Sequence, residues 1–294
     1  MASAAVAGAT VAADAAVGVR ATTRARKRPP IGRTGRGAAV AALSPRPPFP
    51  IPAPVIGHRG AAALAPENTL AGLRCAAALG LSWVEIDLRL TADGIPVLLH
   101  DATLRRTAGA KSAVARLPRA RLADLDAGSW FGPDFAGEPV PDLDQALALA
   151  GELGLGLNLE IKAPRGGGAA AMAAVLAVLT RRGADPGRIL LSSFDRAALR
   201  AAAGGPWPLG MLMGRPPSDW RRFATGIGAV SLHCDHRRLD AAMAARLRAS
   251  GLPVLAYTVN DRGRAARLFA WGVAAVITDR PPALTGLAAP DEAV

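Results

Sequence analysis

The 294-residue chain has only two cysteines, Cys75 and Cys234, far apart and outside any CxxC pair. That suggests neither a disulfide framework nor a clustered zinc site, and makes a reducing, cytoplasmic setting the simpler expectation. No uncharged apolar run reaches the roughly 18 residues that a membrane-spanning helix needs; the nearest approach is residues 166 to 180, between Arg165 and Arg181. No membrane span is expected. Lysine and asparagine are also scarce, at three each: Lys27, Lys111 and Lys162, and Asn68, Asn158 and Asn260. Histidine occurs four times and tyrosine once. Where so frugal a chain groups these types, as in LNLEIK, the grouping calls for a reason beyond composition.

The net charge of +12 is concentrated at the start of the chain. Residues 1–50 hold eight Lys/Arg against one acid (+7), leaving 27 against 22 (+5) for the rest. This leader of Ala, Gly, Pro, Thr and Arg has no periodicity and is expected to be a disordered tail. It lacks a basic start before an apolar core and so makes a poor secretory signal, while an Arg-rich, acid-poor leader fits a transit peptide as well as a functionless extension. A nonspecific, salt-dependent nucleic-acid contact would belong to this tail alone, and no specific nucleic-acid partner is expected.

From Val55 onward, short runs of Val, Ile and Leu alternate with Ala-rich, Arg-studded segments of helical length, the pattern of repeated βα units. Strands are expected at Val55–Gly57, Trp83–Leu90, Val97–His100, Gly156–Ile161, Ile189–Ser192, Leu209–Met213, Ala229–His233, Val254–Val259 and Ala275–Thr278. The Thr91-Ala92-Asp93-Gly94 connection is too short for a crossover, and Asp-Gly between strands signals a two-residue hairpin. With Val97–His100 as an antiparallel return, eight parallel strands remain, the number that closes a (β/α)8 TIM barrel with its active site at the C-terminal strand ends. Residues 51–285 are expected to form this α/β barrel, with a small insertion at 103–141 after the second-strand hairpin and a C-terminal tail at 286–294.

In WVEIDLRL, Glu85 and Asp87 are two apart and share one strand face, as do Glu160 and Lys162 in LNLEIK. Carboxylates pointing into a barrel are costly unless paired or bound to a cation. One Mg²⁺ or Ca²⁺ held by Glu85, Asp87 and Glu160 would satisfy all three, since hard cations take oxygen ligands. With Asp93-Gly94 as the loop, paired positions sum to 187, which sets His100 opposite Asp87, while His58 arrives at the end of the first strand. Two imidazoles serve as general base and general acid near neutral pH. Arg59 and Lys162 would neutralise charge on the nonbridging oxygens of a phosphodiester. Because adjacent strand residues point oppositely, HRG must leave the strand at Arg59, a turn that Gly60 eases.

In this order, HRG, PENT, EIDLRLTADGIPVLLHD, LNLEIK, LLSSF and AYTVN resemble the glycerophosphodiester phosphodiesterase family. DAGSWF, GEPVP and WGVAAVITD resemble its bacterial cytosolic members. The resemblance spans about Val55 to Arg280. It implies metal-dependent hydrolysis of a small glycerophosphodiester, such as glycerophosphocholine or glycerophosphoethanolamine, to sn-glycerol 3-phosphate and an alcohol. It assigns His58 and His100 as acid and base, Glu85, Asp87 and Glu160 as metal ligands, Arg59 and Lys162 as phosphate contacts, and Glu67 as an active-site acid. Tyr257, where the family often has Trp, and Asn260 are expected among the substrate-binding residues. Ala108-Gly109-Ala110 replaces a polar turn of the family. In SLHCDHRRL, His233 is expected to face the barrel mouth as a glycerol contact, and His233 and His236 are too differently oriented for a zinc site.

Three other readings stand as alternatives, with weak action on lysolipids left open. A phospholipase C or D acting on (lyso)phospholipids would need an apolar rim to meet a bilayer, and a catalytically silent module on this fold would not need the full set of His, carboxylate, Arg and Lys. Nucleic-acid binding by the tail would leave hydrolysis untouched.

Overall fold

The computed structural model describes residues 53–287; the basic tail at 1–50 and the residues from 288 onward lie outside the described residues. Nine strands run β1 (Val55–His58), β2 (Trp83–Leu90), β3 (Pro96–Leu98), β4 (Gly156–Ile161), β5 (Ile189–Ser193), β6 (Leu209–Met213), β7 (Ser231–Asp235), β8 (Val254–Tyr257) and β9 (Ala275–Thr278). Between them lie α1 (Leu70–Ala78), α2 (Arg105–Ala108), α3 (Leu143–Leu153), α4 (Gly168–Arg182), α5 (Arg196–Ala202), α6 (Trp220–Ile227), α7 (Ala241–Arg248) and α8 (Arg262–Ala270). Every strand except β3 pairs in parallel with its neighbours, and β1 joins both β9 and β2, so eight parallel strands close the expected (β/α)8 barrel.

The strands are buried on both faces, hence their near-continuous apolar runs. On β2 and β4, Val84, Ile86, Leu88, Leu157, Leu159 and Ile161 point outward into the layer shared with the helices. The opposite face fills the barrel: Ile56, Trp83, Leu190, Val230, Leu255, Ala275 and Ile277 cluster inside it. The helices start where short polar side chains cap them. Thr69, Asp195, Asp240 and Asp261 accept backbone N–H groups, and Asp142 forms a reciprocal capping box with Gln145. Each such cap contributes about 1 kcal/mol.

Two local geometries differ from the sequence reading. The β2–β3 hairpin pairs Leu88 with Leu98, Arg89 with Val97 and Leu90 with Pro96, a sum of 186 rather than 187. Its loop has three residues, closed by Thr91 N–H donating to Ile95 O at 3.1 Å, with Gly94 at φ +77°. A left-handed glycine ending a three-residue loop shifts register by one. Leu99, not His100, therefore meets the Asp87 backbone, and His100 lies just beyond β3. Likewise β7 begins two residues later than expected. Gly228 caps α6 in the left-handed conformation, and Ala229 N–H turns back to Ala224 O at 2.9 Å, so the first apolar residue of the run closes the helix.

Candidate active site

The floor of the site is built from the inward face of β2 and β4. The parallel register sets Asp87 beside Glu160, and Glu85, Asp87 and Glu160 each offer one oxygen within 4.8 Å of the others. All three are buried; Glu85 Oε1 accepts no hydrogen bond, and Asp87 Oδ1 has the Lys162 ammonium as its one contact. Burial, with the adjacent Asp87 and Glu160 charges, holds Glu85 well above the ordinary carboxylate range. Burial and Asp87 also raise Glu160. Asp87 lies below its usual value: burial pushes it up, but Lys162 and Arg59 outweigh that. A buried carboxylate oxygen without a partner, on a carboxyl driven toward its neutral form by burial and like charges, fits a hard divalent cation as the missing partner.

Asn68 and two cations fix these carboxylates. Asn68 Nδ2 donates to Asp87 Oδ2 at 2.8 Å, and its Oδ1 accepts from Asp87 N–H at 3.0 Å. Arg59 Nε lies 3.2 Å from Asp87 Oδ2, and its NH1 donates to Glu67 Oε1 at 2.7 Å. Lys162 Nζ meets Glu160 Oε1 at 2.5 Å and Asp87 Oδ1 at 3.2 Å. Burial works against the charge of Arg59 and Lys162, yet the facing carboxylates raise both. The chain does leave the strand at HRG: Arg59 sits at φ +52°, and its N–H donates to Glu85 Oε2 at 3.2 Å.

The two histidines are oriented alike by different parts of the chain. His58 Nδ1 lies 2.5 Å from Asp279 Oδ1, while its Nε2 is 3.8 Å from Glu85 Oε2. His100 Nδ1 lies 2.7 Å from Asp101 Oδ1. A carboxylate at Nδ1 selects the tautomer with its proton there and leaves Nε2 as the exchangeable position. Burial lowers the His100 pKa against the opposing pull of Asp87 and Asp101. A bond from Arg106, then one from His100, holds Asp101 at about 2.

A cavity of about 420 Å³ opens above this floor, lined by His58, Arg59, His100, Glu160 and Lys162 on one side. Phe194, Asp235, His236, Arg237, Tyr257 and Thr258 form the other. Phe194 packs edge-on against Tyr257, whose hydroxyl donates to Met213 O at 3.0 Å. Besides the floor carboxylates Glu85 and Asp87, three expected site residues lie off the cavity wall. His233 is fully buried inside the barrel with Nε2 2.9 Å from Ser231 Oγ, because the later start of β7 draws it below the mouth and leaves Asp235 there. Asn260 holds Asp279 by accepting from its N–H at 2.9 Å and donating to Oδ2 at 2.6 Å. Glu67 lies behind Arg59. Asp279, Asp101 and Arg106, to which the sequence reading gives no role, complete the polar network, although Asp101 and Asp279 end the motifs EIDLRLTADGIPVLLHD and WGVAAVITD.

A parallel barrel with two histidine–carboxylate couples, an acidic floor and two cations at its C-terminal mouth is the architecture of a phosphodiester hydrolase. Residues 58–283 match the Glycerophosphoryl diester phosphodiesterase family, and the chain belongs to it. A glycerophosphodiester phosphodiesterase of Caldanaerobacter subterraneus is 30% identical over 79% of this chain and 96% of its own length. An Oleispira antarctica phosphodiesterase, solved with the product sn-glycerol-3-phosphate, superposes with a TM-score of 0.74 at 38% identity, covering 78% of this chain and 94% of the other. The Thermotoga maritima glycerophosphodiester phosphodiesterase gives 0.63 at 26%, covering 77% and 94%. Among the described residues, no helix is long and apolar enough to cross a membrane.

Proposed function

We propose that this protein hydrolyses small glycerophosphodiesters, such as glycerophosphocholine and glycerophosphoethanolamine, to sn-glycerol 3-phosphate and an alcohol. The observation that carries the reading is that His58 and His100, each with Nδ1 on a carboxylate, line one cavity together with Arg59 and Lys162. One imidazole takes the proton of the attacking hydroxyl or water, and the other protonates the departing alkoxide at its Nε2. Arg59 and Lys162 orient the phosphate and offset the charge that grows on its nonbridging oxygens. Glu85, Asp87 and Glu160 would hold one Mg²⁺ or Ca²⁺, which supplies further positive charge at those oxygens. Phe194 and Tyr257 form an apolar wall for the carbon skeleton of the substrate. We place the protein in the cytoplasm, in keeping with its free Cys75 and Cys234.

The test is release of glycerol 3-phosphate from glycerophosphocholine by the purified protein, with EDTA and with added Mg²⁺ or Ca²⁺. Metal-dependent release that His100→Ala abolishes is the expected result. No release from any glycerophosphodiester with either metal would overturn the reading.

A further inference from the structure

Arg106 stands in α2, outside the cavity wall, and has no part in the chemistry above. Its guanidinium is shared between two carboxylates: NH1 and NH2 donate to Glu67 Oε2 and Oε1 at 2.5 and 2.8 Å, and Nε donates to Asp101 Oδ2 at 2.8 Å. Each acceptor has a second partner inside the site. Glu67 Oε1 also takes Arg59 NH1 at 2.7 Å, and Asp101 Oδ1 also takes His100 Nδ1 at 2.7 Å. The sequence Arg59, Glu67, Arg106, Asp101, His100 is thus an unbroken chain of charge-assisted bonds, with a two-point fork at its centre.

The alternatives for these groups explain why the fork matters. Without Arg106, Glu67 faces Arg59 alone and is free to draw its guanidinium away from the phosphate position. Asp101, exposed on one side, would keep His100 as its one charged partner and lose its own anchor. Lys cannot substitute fully, since a single ammonium has no planar fork. We propose that Arg106 is a positioning residue that sets the separation between the phosphate clamp Arg59 and the acid–base residue His100. This inference rests on the proposed hydrolytic function of the site.

The test is a mutant cycle on glycerophosphocholine hydrolysis in the full chain, with thermal melts alongside. Arg106→Ala should lower kcat on the order of 10- to 100-fold, with a smaller change in KM, because misplacing a reacting group by about 1 Å costs this much. Arg106→Lys should fall between. In the Glu67→Gln/Asp101→Asn background, adding Arg106→Ala should change kcat less than about 2-fold, since the same connection is already broken. Full additivity in that background would overturn the proposal, showing that Arg106 acts through the fold and not through these two carboxylates; so would wild-type kcat in Arg106→Ala. A wild-type protein without hydrolytic activity overturns the reading of the site instead. The ¹⁵N shifts of His100 then decide the inference: loss of a single Nδ1-protonated tautomer in Arg106→Ala supports it, and unchanged shifts refute it.

Discussion

Asp279 Oδ1 lies 2.5 Å from His58 Nδ1, and this contact joins the residue after the last barrel strand to the end of the first. It makes closure of the barrel a condition for a correctly oriented imidazole. Asp279→Asn should leave the barrel folded but offer the amide to His58 in place of a carboxylate, favouring the wrong tautomer. A fall in kcat on the order of 10²- to 10⁴-fold is expected, by analogy with triads that lose their carboxylate. Steady-state kinetics with a matched melting temperature would check it; near-wild-type kcat would show that the tautomer is fixed elsewhere.

Asn68 holds Asp87 at two points from within the interior. Asn68→Ala leaves the buried Asp87 N–H unpaired, at a cost of about 1–3 kcal/mol, and leaves Asp87 Oδ2 with Arg59 Nε as its remaining contact. Urea denaturation measures this loss, and calorimetric titration with Mg²⁺ should show weaker binding alongside it.

Metal-free protein should become less stable as pH rises from about 4.5, because folded Glu85 keeps its proton to higher pH than the unfolded chain does. In that window the native state binds more protons, so stability falls with pH. Asp87 has the opposite sign: its contribution is present above about 3.8 and is lost as pH falls. Urea midpoints in EDTA should decline across the range, and either Mg²⁺ or Glu85→Gln should flatten the decline. An unchanged slope in Glu85→Gln would assign it to another group.

Buried His233 should give the reverse trend in acid. Desolvation drops it to about 3, so the stability of its neutral form is complete above the ordinary histidine value near 6.5 and is lost as pH falls toward 3. His233→Leu should reduce this part of the acid sensitivity while leaving the pH profile of kcat in place, since His233 lies off the cavity wall.

Phe194 is half exposed at the cavity rim. Phe194→Ala should shift stability by no more than about 0.5 kcal/mol, as for ordinary surface positions, yet raise KM several-fold through loss of apolar wall.

The barrel was legible because parallel strands buried on both faces print as Val/Ile/Leu runs, and a single Asp-Gly connection marked the antiparallel exception. Glu85, Asp87 and Glu160 were legible as a cluster because strand periodicity fixes their shared face. His233 was misplaced because an apolar run does not reveal that Ala229 belongs to a helix cap. The one-residue hairpin shift likewise depends on whether Gly94 ends a three-residue loop or completes a two-residue one. Asp279 and Arg106 escaped notice for another reason. Asp279 reaches His58 across 221 residues of sequence and Arg106 reaches Glu67 across 39, which no local pattern encodes.

A change of leaving group separates the acid and base roles proposed for His58 and His100. From glycerophospho-p-nitrophenol the p-nitrophenolate departs without a proton, whereas the choline alkoxide of glycerophosphocholine requires one. Measured with both substrates, one of His58→Ala and His100→Ala should regain most of its lost rate on the nitrophenyl ester, and the other should stay impaired on both. Equal impairment of both variants on both substrates would contradict the account.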